Sequence, residues 1–176
     1  MPDILIIISL EPILNDLELT VKNFENGNFS KWGLKPIMPE KNKNETYPEA
    51  AIRFFNQTDW KTEIQPLIPK IKKWWEEIGS KFATSMAAEL KVTEPKKYNI
   101  ILVPFGPGGS YNPKISSVYV RIRDINNDEW WQHVLVHEIT HLLGSYSDTD
   151  DHQTNEKRIN ELIKNKLSEL GLENLI

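Results

Sequence analysis

Apolar positions recur along this chain with two periods, and each change of period marks an element. The run from Ile4 to Leu10 is the most apolar stretch and predicts a buried β-strand. From Asn23 to Asn44 the chain is rich in Asn, Gly, Lys and Pro, which predicts an irregular loop with room for a short strand. A short helix is expected over Glu49 to Phe55. A longer one is expected over Pro66 to Leu90, where Ile71, Trp74, Trp75, Ile78, Phe82 and Met86 return every three or four residues. Gly79 and Ser80 are its expected kink. Tyr98 to Phe105 reads as a strand, Gly106 to Ser110 as a loop, and Ser116 to Arg123 as a second strand with Val118, Val120 and Ile122 on one face. A helix follows from Asp128 to Leu143, with Gly144 just past its end. Ser145 to Gln153 is a polar loop, and a last helix runs from Thr154 to Leu170, stopped by Gly171. These elements predict an α+β fold: residues 1–176 as one domain, a small mixed sheet packed on helices.

Composition narrows the class of function. The net charge is −4, and no dense Lys/Arg stripe is present; Lys70 to Lys73 reads as a solvated helix face. Both argue against a nucleic-acid partner. There is no cysteine, which excludes a disulfide framework and any thiolate ligand. A metal site in this chain has to use His, Asp and Glu. Ile4 to Leu10 is too short to cross a bilayer, lacks a basic leader and has no small-residue cleavage site after it. A cytoplasmic protein with no membrane partner is therefore expected.

The most informative residues are His137-Glu138-Ile139-Thr140-His141. On a helix, four residues advance about 400°, so both imidazoles share one face. That pair can grip one Zn²⁺, with Glu138 beside it as general base rather than ligand. Catalytic zinc usually takes three protein ligands and leaves a fourth position for water. The third ligand is sought downstream. The apolar stripe of the last helix is Ile159, Ile163, Leu167 and Leu170. Three residues before Ile159 stands Glu156, on the core side, where a lone carboxylate is costly without a partner. Glu161 falls on the solvated side with Lys157, Asn165 and Ser168. Of these two carboxylates, Glu156 is the one that faces the core.

With these residues the chain resembles the zincin superfamily of zinc metallopeptidases, whose signature is HExxH. The metzincin spacing would put His or Asp three residues after Gly144, and Ser147 stands there. The gluzincin pattern takes a glutamate from a later helix, which makes the core-facing Glu156 the expected third ligand. The stretch His137 to Ser147 also resembles the aspzincins, in which an aspartate is the third ligand; their downstream Gly-Thr-x4-Asp signature is absent, and Asp148, Asp150 and Asp151 stand as the alternatives. The resemblance implies a peptide or protein substrate, cleaved by a zinc-activated water whose proton Glu138 takes and passes to the leaving amine. It also implies a substrate held as an added strand along a sheet edge. Gly108 to Asn112 is the segment for that role, with Gly109, Ser110 and Tyr111 as substrate-binding residues; the same segment also reads as a plain turn. Tyr146, His152, Tyr111 and Arg158 are candidates to stabilise the oxyanion. His133 lies on the face of His137 and His141, yet about 12 Å along the axis from His141, too far to share an ion. It reads as a cleft or ordinary polar residue, and His152 also reads as a plain surface histidine. Two other readings stand beside the peptidase: a non-catalytic zincin-fold module that holds a protein partner or keeps zinc for structure, and HExxH as a chance pattern in a core helix.

Overall fold

The computed structural model describes residues 2–122, 124–144 and 152–173. The fold is α+β. Four strands form one mixed sheet, β1 (Asp3–Ile7), β2 (Lys97–Val103), β3 (Gly109–Asn112) and β4 (Ser117–Arg121), in the order β1-β2-β4-β3. β1, β2 and β4 run parallel, and β3 runs antiparallel to β4. β2 and β4 lie inside the sheet, which is why their residues from Ile100 to Val103 and from Ser117 to Arg121 are all buried. β3 is an edge.

Two expectations change here. The strand at the start is not buried: it is the other edge of the sheet, its residues exposed or half-buried, and it ends at Ile7, after which Leu10–Glu25 forms a helix, α1. Leu10, Ile13, Leu14, Leu17 and Val21 carry the three- and four-residue spacing that accounts for it, and Pro12 in the first turn costs no hydrogen bond there. Gly109 and Ser110, expected in a loop, begin β3 instead. Four residues with one large apolar side chain give little strand signal; pairing Tyr111 to Val118 and Gly109 to Val120 makes them a strand.

α2 (Asn28–Lys31) is one short turn of helix, followed by an isolated bridge from Ile37 to Gly106. α3 (Tyr47–Gln57) opens on a capping box between Thr46 and Glu49. After the one-turn α4 (Trp60–Glu63), the expected long helix comes in two pieces: α5 (Leu67–Trp74) and α6 (Ser80–Leu90), with a π-helical turn over Trp75–Gly79. A Cβ on Gly79 would sit 2.6 Å from the Trp74 ring and 2.8 Å from the Trp75 ring, so glycine lets both indoles fold back over the turn. Trp74 and Trp75 are core residues; Trp74 meets the buried Trp131 edge-on.

α7 (Asp128–Gly144) is buried on nearly every side from Val134 to Leu143, as expected for a central helix. It covers β4 and β3 and packs on α6 and α8 (His152–Glu169). Ile159, Ile163 and Leu167 bury the inner face of α8. Lys166, also buried, reaches Glu89 on α6 at 3.1 Å and Glu169 at 2.6 Å. A smaller apolar cluster joins Leu17 of α1, Ala51 of α3 and Phe105. Among the described residues, no helix is long and apolar enough to cross a membrane.

Candidate metal centre

α7 carries His137 and His141 one turn apart, and their Nε2 atoms lie 3.1 Å from each other. α8 brings Glu156 against them. Its Oε2 is 3.1 Å from His137 Nε2, and its Oε1 is 3.1 Å from His141 Nε2. The reason is the one that helical spacing gave: burial of Ile159 turns the preceding turn of α8 towards α7, while Glu161 is exposed. Among the described residues these three are the group of His and carboxylate donors close enough to share an ion.

The contacts fit a cation better than hydrogen bonds. Each Nε2 carries either one proton or one lone pair. With both protonated, the two nitrogens can donate to Glu156 but face each other at 3.1 Å with no bond between them. With one protonated, a nitrogen lone pair faces a carboxylate oxygen. At most two of the three contacts are hydrogen bonds in any state, whereas one cation satisfies all three. Ligand atoms around a tetrahedral ion at zinc–nitrogen distance are about 3.4 Å apart, close to the spacing here.

The electrostatics keep Glu156 ionised and favour a proton on His137, which a cation there would displace. Burial works to raise the Glu156 carboxyl, but hydrogen bonding to His137 and His141 outweighs it and holds the group far below the usual carboxylate range. Burial works to lower His137, and its bond to Glu156 wins, raising it. Asn160, one turn along α8 from Glu156, also hydrogen-bonds His137. Tyr111 of β3 lies flat on the His141 ring, centroids 5.2 Å apart and planes within 9°.

Glu138 lies outside this triangle, with its carboxyl against β3. It is 8% exposed, and burial pushes its carboxyl up to about 7 against the opposing pull of His137 and His141. It rests on Gly109. A Cβ at that residue would fall 2.5 Å from Glu138 Oε1, 2.6 Å from its Cγ and 2.7 Å from Val134 Cγ1. The space left by the missing side chain is thus filled by the general-base candidate itself.

The other sequence candidates separate. Ser110 donates to Asp16 of α1 at 2.6 Å, and the register turns its main-chain groups towards β4, whereas Gly109 and Tyr111 turn theirs away from β4. Burial pushes Asp16 up to about 6, against the Ser110 bond. His133 stacks on His137 with centroids 6.2 Å apart and lies outside the triangle. Burial, then the charge of His137, lowers its pKa. His152 Nδ1 is 4.0 Å from Glu156 Oε1. Arg158 is exposed on α8. Tyr146, Ser147, Asp148, Asp150 and Asp151 lie outside the described residues, as does Arg123.

Sequence reasoning misses three neighbours of the site. Asn160 was within reach of it, being four residues from Glu156. Asp16 needed α1 to be recognised; it then falls three residues after the buried Ile13. Trp32, whose ring lies 4.6 Å from that of His152, gives no such signal, because a loop brings it there. Compared with protein-family models, with curated proteins and with solved structures, the chain matches none of them.

Proposed function

We propose that the chain is a zinc-dependent metallopeptidase of gluzincin-like design, with His137, His141 and Glu156 as ligands and Glu138 as general base. The observation that carries this reading is the convergence of three donor side chains from two helices beside a fourth, buried carboxyl that is not part of the triangle. We take it to be a cytoplasmic enzyme acting on peptides or proteins.

When bound, zinc supplies Lewis acidity, polarising a carbonyl oxygen and acidifying a water molecule. The residues do the rest. Glu138, with an affinity for protons near neutrality, takes a proton from the attacking water and hands it to the departing amine. Its burial keeps solvent from competing for that proton. Tyr111 and Asn160 hold the two imidazoles in orientation, as hydrogen-bonded and stacked neighbours of ligand histidines do. β3 has a strand partner in the sheet on one side only, and the main-chain groups of Gly109 and Tyr111, which the register turns away from β4, suit an extended peptide laid beside it.

A non-catalytic module that keeps zinc for structure has no use for Glu138, and burying a carboxyl without a role is unfavourable. The test is Glu138→Gln. It should retain zinc as the wild type does and lose peptide hydrolysis by at least about a hundredfold. Hydrolysis at the wild-type rate in Glu138→Gln would overturn the mechanism. Zinc without hydrolysis in the wild type would favour the binding module.

A further inference from the structure

The irregular segment after α2 places a side chain beside the triad that the chemistry above does not use. The Leu34 N–H returns to Phe29 O at 2.8 Å and closes a turn around Trp32. Phe29 is buried and meets the Trp32 indole edge-on, with centroids 5.7 Å apart, so the ring is anchored to the body of the protein. The indole also lies against His152, whose Nδ1 is 4.0 Å from Glu156. Trp32 is thus one ring removed from a ligand carboxylate, and it is only half-buried. Farther on, Ile37 exchanges two main-chain hydrogen bonds with Gly106, at 2.9 and 2.8 Å, where the chain turns towards β3. The segment is therefore tied at one end to the first turn of α8 and at the other to the approach to the edge strand.

Between those ties it presents Leu34 at 40% and Ile37 at 48% exposure, and its one charge is Lys35. Three large apolar side chains fall within six residues, and the two exposed ones leave apolar area that favours an apolar ligand. We infer that Trp32 is a specificity-determining residue. It receives a large apolar or aromatic side chain of the substrate next to the cleaved bond, and Leu34 and Ile37 extend the same surface. The inference rests on the peptidase reading. An indole stabilises such a side chain by burial and by ring contact, and an acidic one would gain neither.

The test compares zinc-loaded wild type, Trp32→Ala and Trp32→Phe on peptides that differ only at the residues flanking the cut bond, carrying Ala, Leu, Phe or Glu. The wild type should favour Phe or Leu over Ala on one side of the bond by about tenfold in kcat/KM. Trp32→Ala should reduce that ratio to about twofold, Trp32→Phe should keep most of it, and all three should hold equal zinc. Leu34→Ser, at an exposed position, gives an arm that does not depend on Trp32→Ala folding; its ratio should fall about threefold. A ratio unchanged in zinc-loaded Trp32→Ala or Leu34→Ser overturns the inference. A wild type that cuts with no apolar preference removes it and leaves the peptidase reading standing, whereas a zinc-loaded wild type that cuts no peptide removes both.

Discussion

Gly109→Ala isolates the packing of Glu138, the proposed general base. The backbone of Gly109 is not in the left-handed region, so an alanine there carries no conformational strain. What it meets is side chain: Glu138 Oε1 at 2.5 Å, Glu138 Cγ at 2.6 Å and Val134 Cγ1 at 2.7 Å. A carboxylate tip alone could swing aside, but Cγ and the valine methyl are held by the helix, and β3 is held by β4. Overpacking of this kind costs about 1–3 kcal/mol. In a chain of this length that lowers the melting temperature by roughly 2–12 °C. The greater effect is on chemistry. Moving Glu138 by even a fraction of its contact distance misplaces the proton acceptor, and kcat should fall by about a hundredfold. Zinc per chain should stay at the wild-type level, because the three nearest atoms belong to Glu138 and Val134 and none to the triangle. Gly108→Ala is the control: its Cβ would meet Trp130 at 3.5 Å, an ordinary contact, and the change in stability should be under about 0.5 kcal/mol. Thermal unfolding, elemental analysis and peptide hydrolysis on the two variants read all of this. A Gly109→Ala variant as stable and as active as Gly108→Ala would refute the packing argument.

Three further outcomes follow from the same geometry. An ion shared by His137, His141 and Glu156 ties α7 to α8, so a saturating chelator should lower the wild-type melting temperature by several degrees, about 2–3 kcal/mol if zinc is normally present near a hundred times its Kd; no shift once the metal is shown to be gone counts against a bridging site. Asn160→Ala removes the α8 side chain bonded to His137 and should weaken zinc binding about tenfold in a competition titration while leaving the circular dichroism spectrum unchanged. Asp16 has a folded pKa of about 6 against 3.8 in a free chain, so the stability it contributes is present below about pH 4 and is lost as pH rises through 6. Asp16→Asn keeps an acceptor for Ser110 and stays neutral, so it should be more stable than wild type by about 3 kcal/mol at pH 7, with the gain fading towards pH 4; equal denaturant midpoints at pH 7 would contradict this.

Much of the fold was legible because burial imposes period. β2 and β4 show as runs of β-branched and aromatic residues, and α5 to α8 show as three- and four-residue recurrences. Helical stepping puts Glu156 on the buried side of α8, since burying Ile159 turns Glu156 inward, and the docking of α8 on α7 then brings it to the histidines. α1 was legible too, but the apolar run before it continues into Leu10 and hides the change of period. β3 was not legible, because a short edge strand led by glycine owes its form to its partner, and the partner is distant information in a sequence. The same limit hides Trp32 and the Asp16–Ser110 bond: both depend on where loops and helices from the first third of the chain dock, and no local periodicity encodes docking. The role of Gly109 shows the limit most clearly. In sequence it suggests close approach of a ligand backbone, and in the structure the group that approaches is Glu138 of the chain itself.

The most direct test of the metal centre is zinc per chain, by elemental analysis, on wild type and Glu156→Ala purified side by side without chelator. One zinc in the wild type and a small fraction of that in Glu156→Ala is the expected result. Equal zinc in both would remove Glu156 from the site, and none in the wild type would contradict the metal centre itself.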